Sequence, residues 1–250
     1  ILEIERIQGL SSKLLMEKSA IKQEQNNNEE ATKYLLKAYD IDDTNIEVIQ
    51  RLVSIYLENE NFSDAEFYNE ILLKEFSDDP SGFINASIIS LNNSSPQKAI
   101  DYLKPNIEKF DDNYSAHYLL GTSYYQIDDL VNSENHFNKA LSIFPGSRNS
   151  KHTLAMIYDQ NGSWVKSDSL YLELITTDTT DAQAYNNFSY SLVERNDNLE
   201  LALEMSIIAN RVHPKSAPYL DTLGWIYYKL EQYEKALEYV QESYSLDNTN

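Results

Sequence analysis

Apolar side chains recur along this chain at three- and four-residue intervals, in runs of about 13 residues, and that spacing is helical, not strand-like. Polar stretches separate the runs, among them Asp42-Asp43-Thr44-Asn45, Asp111-Asp112-Asn113 and Pro145-Gly146-Ser147. Each run predicts a helix roughly 20 Å long at the α-helical rise. The runs themselves repeat. Ala31, Ala65, Ala99, Ser133, Ser167, Ala202 and Ala236 are separated by 34, 34, 34, 34, 35 and 34 residues. A fixed period near 34 is the mark of a helical-repeat solenoid.

Setting that small residue at place 20 of a 34-residue frame divides the chain into 12–45, 46–79, 80–113, 114–147, 148–181, 182–216 and 217–250. Place 8 is then Ser19, Val53, Ser87, Gly121, Ala155, Ser189 and Gly224, small in six of seven. Place 7 carries Leu52, Leu120, Leu154, Phe188 and Leu223, and place 11 carries Tyr56, Tyr124, Tyr158 and Tyr227. Small residues on two facing helices let the backbones approach, while large ones three or four places away fill the remaining space. Pro80, Pro96 and Pro218 stand at expected first turns. Ser63 with Glu66 reads as a capping box opening a second helix. Pro105, inside the second half of repeat three, removes a backbone donor and is expected to bend that helix. Residues 1–11, with Ile1, Ile4 and Ile7 at helical spacing, read equally as the end of a truncated earlier repeat or as an N-terminal cap helix.

This pattern resembles the tetratricopeptide repeat (TPR) family. The resemblance is carried best by Leu220-Asp221-Thr222-Leu223-Gly224-Trp225-Ile226-Tyr227-Tyr228 followed by Tyr233-Glu234-Lys235-Ala236-Leu237. The run from Tyr185 to Leu192, with one extra residue near Asn198 and Leu199 before Ala202, looks like a variant common in bacterial members. The likeness spans residues 12–250. It is weaker in repeat one, where Lys18 and Lys22 replace the Leu and Tyr, and in repeat three, where Asn106 replaces a small apolar residue. It implies an all-α fold, a right-handed solenoid of seven antiparallel helix pairs, acting as a protein-binding scaffold.

In that family the first helix of each repeat lines a concave groove, through places that include 5, 9 and 12. The resemblance therefore assigns groove positions to Ile84, Ile88 and Leu91 in repeat three, and to Tyr118 and Tyr125 in repeat four. In repeats five to seven it assigns His152 and Met156, then Asn186 and Tyr190, then Asp221, Trp225 and Tyr228. An apolar and aromatic band rimmed by polar groups marks a binding face. The competing reading is that places 9 and 12 are buried between neighbouring helices, so that Ile88, Tyr125, Tyr190 and Tyr228 belong to the core. Place 5 is never Lys and place 9 never Asn, so the carboxylate clamp of chaperone-adaptor members is not expected.

Composition narrows the partner. The net charge of −20 argues against nucleic acid and anionic membranes, both of which need a positive face. The charge is uneven. Residues 46–79 hold nine acidic against two basic side chains, a net −7, whereas 182–216 hold four against three. Cysteine is absent, which removes disulfides, thiol nucleophiles and thiolate metal sites. No apolar run approaches a membrane span.

Candidate chemistry is sparse. His117, His136, His152 and His213 fall at different repeat places without ligand spacing, and His117 sits at a core place. Asp40, Asp42 and Asp43 resemble the start of a calcium loop, but Asn45 stands where its Gly belongs and Arg51 where its Glu belongs. No metal, cofactor or catalytic constellation is expected. The leading expectation is a non-catalytic scaffold for a protein or peptide partner. The alternative is a regulatory or architectural segment of a larger enzyme, sensor or cell-envelope assembly. Leu237, Val240 and Tyr244 near the end of repeat seven raise a third possibility, self-association through an uncapped last repeat. Periplasm, envelope and cytoplasm are not distinguished.

Overall fold

The structure, a computed structural model, describes residues 2–247, with side chains described from residue 11 onward. The described residues form fourteen α-helices and no strand: α1 (Leu2–Glu24), α2 (Asn28–Ile41), α3 (Ile46–Glu58), α4 (Phe62–Glu75), α5 (Ser81–Asn92), α6 (Pro96–Leu103), α7 (Tyr114–Gln126) and α8 (Leu130–Ile143). They continue with α9 (Arg148–Gln160), α10 (Trp164–Thr177), α11 (Ala182–Glu194), α12 (Leu199–Val212), α13 (Ala217–Lys229) and α14 (Tyr233–Asp247). The fold is an all-α solenoid of helix-pair repeats. Two compact units divide it, residues 1–136 and 137–250, with the boundary inside α8. Residues 2–11 run on into the first helix as part of α1. The side chains of Ile1, Ile4 and Ile7 lie outside the described residues. No described helix is long and apolar enough to cross a membrane.

Helices pair because small residues meet at the crossing. The residue at place 20 is buried in every repeat, from Ala31 and Ala65 at 0% exposed to Ala236 at 6%. At Gly224 an added Cβ would lie 2.7 Å from Val240 Cγ2 and 3.3 Å from the Ala236 carbonyl oxygen, so α13 and α14 approach more closely than a side chain allows. In the first unit the Ser133 hydroxyl donates to the Gly121 carbonyl at 2.8 Å across the same crossing. Beside it, rings at places 11 and 23 stack. Tyr56 lies on Tyr68 at 5.8 Å, Tyr124 on His136 at 5.5 Å and Tyr227 on Tyr239 at 5.4 Å, each within 8° of parallel. Where repeat one lacks the ring, Lys22 instead pairs with Glu30 at 2.9 Å.

A tight turn joins the helices of each pair, and its left-handed residue stands at the same place in all seven, although the α11–α12 turn carries one extra residue with Asn198 also left-handed. Asn26, Glu60, Ser94, Asp128, Gly162, Asn196 and Glu231, all at place 15, adopt positive φ of 51–69°. The next residue's amide then donates to a carbonyl five residues back, as in Asn61 to Tyr56 and Ser163 to Tyr158, both at 2.8 Å. This is the Schellman closure of a helix C-terminus, which favours Gly at the left-handed position. Only Gly162 supplies one.

Three local expectations are refined. The α4 cap is Asn61, not Ser63: Asn61 accepts from the Asp64 amide at 3.3 Å and donates to the Asp64 carboxylate at 2.8 Å. Ser63 and Glu66 lie inside α4, because Asn61 already closes the free amides. Pro80 stands as the cap residue just before α5. Pro105 does more than bend its helix. Without its N–H the α-helical ladder stops, so α6 ends at Leu103 and gives way to a 3-10 turn over Lys104–Asn106.

The left-handed position generates a prediction. Glu60 is exposed at φ 55°, a conformation costing a non-glycine residue about 1 kcal/mol. Glu60→Gly is expected to raise unfolding stability by roughly 0.5–1 kcal/mol, read from the urea midpoint. A lower midpoint would mean that the turn is not the strained element.

Candidate functional site

In the first unit the assigned residues are half-buried. Ile84, Ile88, Leu91 and Tyr118 pack against the cluster of Ile100, Leu103, Leu119 and Leu120 contributed by α6 and α7. Tyr118 also stacks on Tyr114 at 5.7 Å, and Tyr125 is half-buried. These side chains therefore serve packing and present only an edge. A second feature of this unit is a polar cavity of about 210 Å³ between α4, α5 and α6. It arises where Asn69 takes the place held by Leu35, Leu103 and Tyr171 in other repeats. Asn69 donates to the Gly82 carbonyl at 2.8 Å, while its own amide oxygen is buried without a hydrogen-bond partner.

In the second unit the assigned residues divide. His152 and Asn186, both at place 5, are buried. His152 Nε2 lies 2.9 Å from the Asp181 carboxylate, which Arg148 also contacts at 2.9 Å. Asp181 in turn caps α11 by accepting from the Ala184 amide at 3.0 Å. Burial pushes the Asp181 carboxyl up, but the Ala184 amide, Arg148 and His152 outweigh it and hold the group below the usual carboxylate range. Met156 is half-buried. Asp159, at place 12, is bound by three hydroxyls: Ser167, Ser191 at 2.7 Å and Tyr171 at 2.9 Å. It fastens α9 to α10 and α11.

Tyr190, Asp221, Trp225 and Tyr228 do come together at an open surface. Tyr190 and Tyr228 are 45% and 58% exposed, and the Tyr190 and Trp225 rings lie 5.4 Å apart. Partial burial raises the Tyr190 hydroxyl pKa, and the Glu194 and Asp221 carboxylates add to the rise. Beside this row opens a mostly apolar cavity of about 560 Å³, lined by Trp225, Tyr228, Tyr233, Leu237 and Val240 with Asp221 at its edge. Sequence reasoning placed Leu237 and Val240 at an exposed end and omitted Tyr233 from the site. Their spacing on α14, four and then three residues, carried the signal.

A family model described as tetratricopeptide repeat matches residues 217–250, and a second with the same description matches 114–147. The chain carries tetratricopeptide repeats. No curated protein matches it. Among solved structures, the TPR chain resembles a tetratricopeptide repeat protein from Parabacteroides merdae at 17% identity and a TM-score of 0.72, over 95% of this chain and 93% of that one. It also resembles PilF of Pseudomonas aeruginosa at 14% identity and a TM-score of 0.73, over 85% and 96%. YrrB, described as a TPR protein with an unusual peptide-binding site, matches at 18% identity and a TM-score of 0.59, over 71% and 91%. At these identities the likeness is one of fold.

Among the described residues no group of three or more His, Asp and Glu is placed to hold a metal ion. His117 is buried as a core residue. Its Nδ1 lies 3.0 Å from His136 Nδ1 and its Nε2 lies 3.1 Å from the Asp111 carbonyl oxygen. Burial, then the neighbouring His117 and Lys104, lower the His136 pKa from 6.5 to about 4.

Two predictions follow from these contacts. Between about pH 6.5 and about 4 the unfolded TPR chain binds a proton at His136 that the folded chain refuses, so stability falls as pH drops through that window. Replacing His136 with Tyr, the residue at this place in Tyr68 and Tyr239, is expected to flatten the decline in urea midpoint between pH 6.5 and 5. An unchanged slope would assign the decline to other groups. Separately, Asp159→Ala strips three hydroxyls of their acceptor and is expected to cost about 2 kcal/mol or more in urea unfolding. A loss below about 0.5 kcal/mol would show that the hydroxyls find other partners.

Proposed function

We propose that this chain binds protein partners through the open aromatic face of its second unit, made by Tyr190, Trp225 and Tyr228. TPR repeats make the chain a protein-interaction scaffold; the finer assignment rests on that aromatic row and the apolar cavity beside it. Contiguous exposed apolar side chains mark interaction surfaces, and Tyr and Trp are the side chains that most often anchor interfaces. The solved neighbours support the reading. One is described as carrying a peptide-binding site, and another, Cut9, stands in a hetero-tetramer with Hcn1. The half-buried Ile84, Ile88, Leu91, Tyr118 and Tyr125 offer the first unit a smaller apolar edge of the same kind.

The test uses a photo-crosslinking residue placed at 190, 225 or 228, and at exposed Val165 on α10 as the control. Crosslinks to the same partner from the three aromatic positions and none from 165 are expected. A triple Tyr190→Ala/Trp225→Ala/Tyr228→Ala variant that keeps its helical circular dichroism should lose most of its partner capture. Undiminished capture by that variant sinks the assignment.

A further inference from the structure

We propose that the cavity between α4, α5 and α6 binds a primary ammonium or guanidinium group carried on an aliphatic stem. Three consecutive helices in the middle of the first unit bound it. Its origin is a departure from the repeat. Leu35, Leu103, Phe137 and Tyr171 stand at place 24 of four other repeats, each at most 1% exposed. Repeat two has Asn69 there, buried as deeply at 2%. The exchange leaves about 210 Å³ open, several times the roughly 30 Å³ that one water claims in the liquid. It also leaves a buried amide oxygen, which costs stability until something donates to it.

Hydrogen bonding decides what that occupant is. The Asn69 amide nitrogen donates to the Gly82 carbonyl at 2.8 Å. That carbonyl can only accept, so it fixes the nitrogen on its own side and leaves the oxygen for an occupant. The Ser90 hydroxyl, buried in the same wall, donates to the Ala86 carbonyl at 2.7 Å. Ser95 donates to the Asn93 carbonyl at 3.1 Å. These three side chains therefore keep lone pairs and have spent their protons on backbone. An anion finds no donor among them, whereas an ammonium or guanidinium carries donors and no acceptor. Leu73, Ala86 and Ile89 give the wall an apolar part for the stem.

A cation leaves water only with compensation, and the mouth supplies it. Glu66 and Glu70 line the cavity, both exposed. Exposed Lys98 lines it too, and Lys74 pairs with Glu70 at 3.4 Å, so the nearest charges are in balance. The excess comes from the surrounding chain. Residues 46–79 carry a net −7, and that field collects cations. A free amine and a Lys or Arg side chain of another protein carry the same group, and the experiment separates the two.

The whole isotope-labelled chain is titrated with butylammonium, butylguanidinium, butyrate and the peptide acetyl-Gly-Gly-Lys-Gly-Gly-amide. The amide resonances of Ala86, Ile89 and Ser90 are followed. Saturable shifts with the two butyl cations are expected at about millimolar half-saturation, with butyrate about tenfold weaker or more. Asn69→Leu restores the residue of Leu35 and Leu103 and should abolish binding while the urea midpoint holds or rises. Asn69→Ala widens the space but removes the oxygen, and should weaken binding about tenfold. Glu66→Gln/Glu70→Gln should weaken it about threefold to tenfold, and Lys98→Gln should tighten it about threefold. Glu24→Gln/Glu108→Gln, at two exposed charges of the first unit that do not line the cavity, should change nothing.

Tighter binding of the peptide than of butylammonium supports the site and assigns it to a partner's side chain; the reverse supports it and assigns a free amine. No saturable shift with any cation leaves the cavity to water and overturns the proposal. Equal binding of butyrate overturns it, as does undiminished binding by Asn69→Ala. Binding that appears only after Lys98→Gln also overturns it, because the chain's own lysine would then be the occupant.

Discussion

Every feature of this solenoid depends on how closely the two helices of a pair approach. Small residues at places 8 and 20 set that distance, and at Gly224 the approach leaves no room even for a Cβ. Once the backbones are that close, the ring at place 11 has one surface to lie on, the side chain at place 23. The near-parallel stacks of Tyr56 on Tyr68 and Tyr227 on Tyr239 follow from it. The tight left-handed turn at place 15 belongs to the same constraint, since a longer loop would let the helices splay. Its repeated use of Asn, Asp, Ser and Glu shows packing overriding the backbone's preference for Gly.

The same spacing explains why equivalent places in the repeats have different fates. At place 5, His152 and Asn186 are drawn inward, His152 because Asp181 at the head of the next helix pair closes over it with Arg148. At place 12, Asp159 is bound by hydroxyls from α10 and α11. At the last described pair the corresponding residues, Asp221 and Tyr228, lie exposed. Burial along the band is thus a matter of what the neighbouring helix pair contributes, and the open aromatic face lies on the last of those pairs.

Electrostatics acts inside the first unit at His136, where burial and a second imidazole hold the ring neutral and make the His117–His136 contact depend on pH.

Sequence alone determined the helical class, the 34-residue spacing, the small residues at each crossing and the place where Pro105 disturbs its helix, though not that the helix ends there. All of these depend on local spacing and backbone chemistry, which a chain carries at every position. Only the tertiary structure decided that Asn61 caps α4 in place of Ser63, that His152 and Asp159 are spent on internal bonds, and that Tyr190, Trp225 and Tyr228 share one surface. The Asn61 cap is a local choice between two side chains that spacing alone does not rank, and the other outcomes depend on residues about 30 positions apart meeting, as Asp159 meets Ser191 and His152 meets Asp181. A repeat frame assigns the same role to the same place in every unit; packing against unequal neighbours is what makes the places differ.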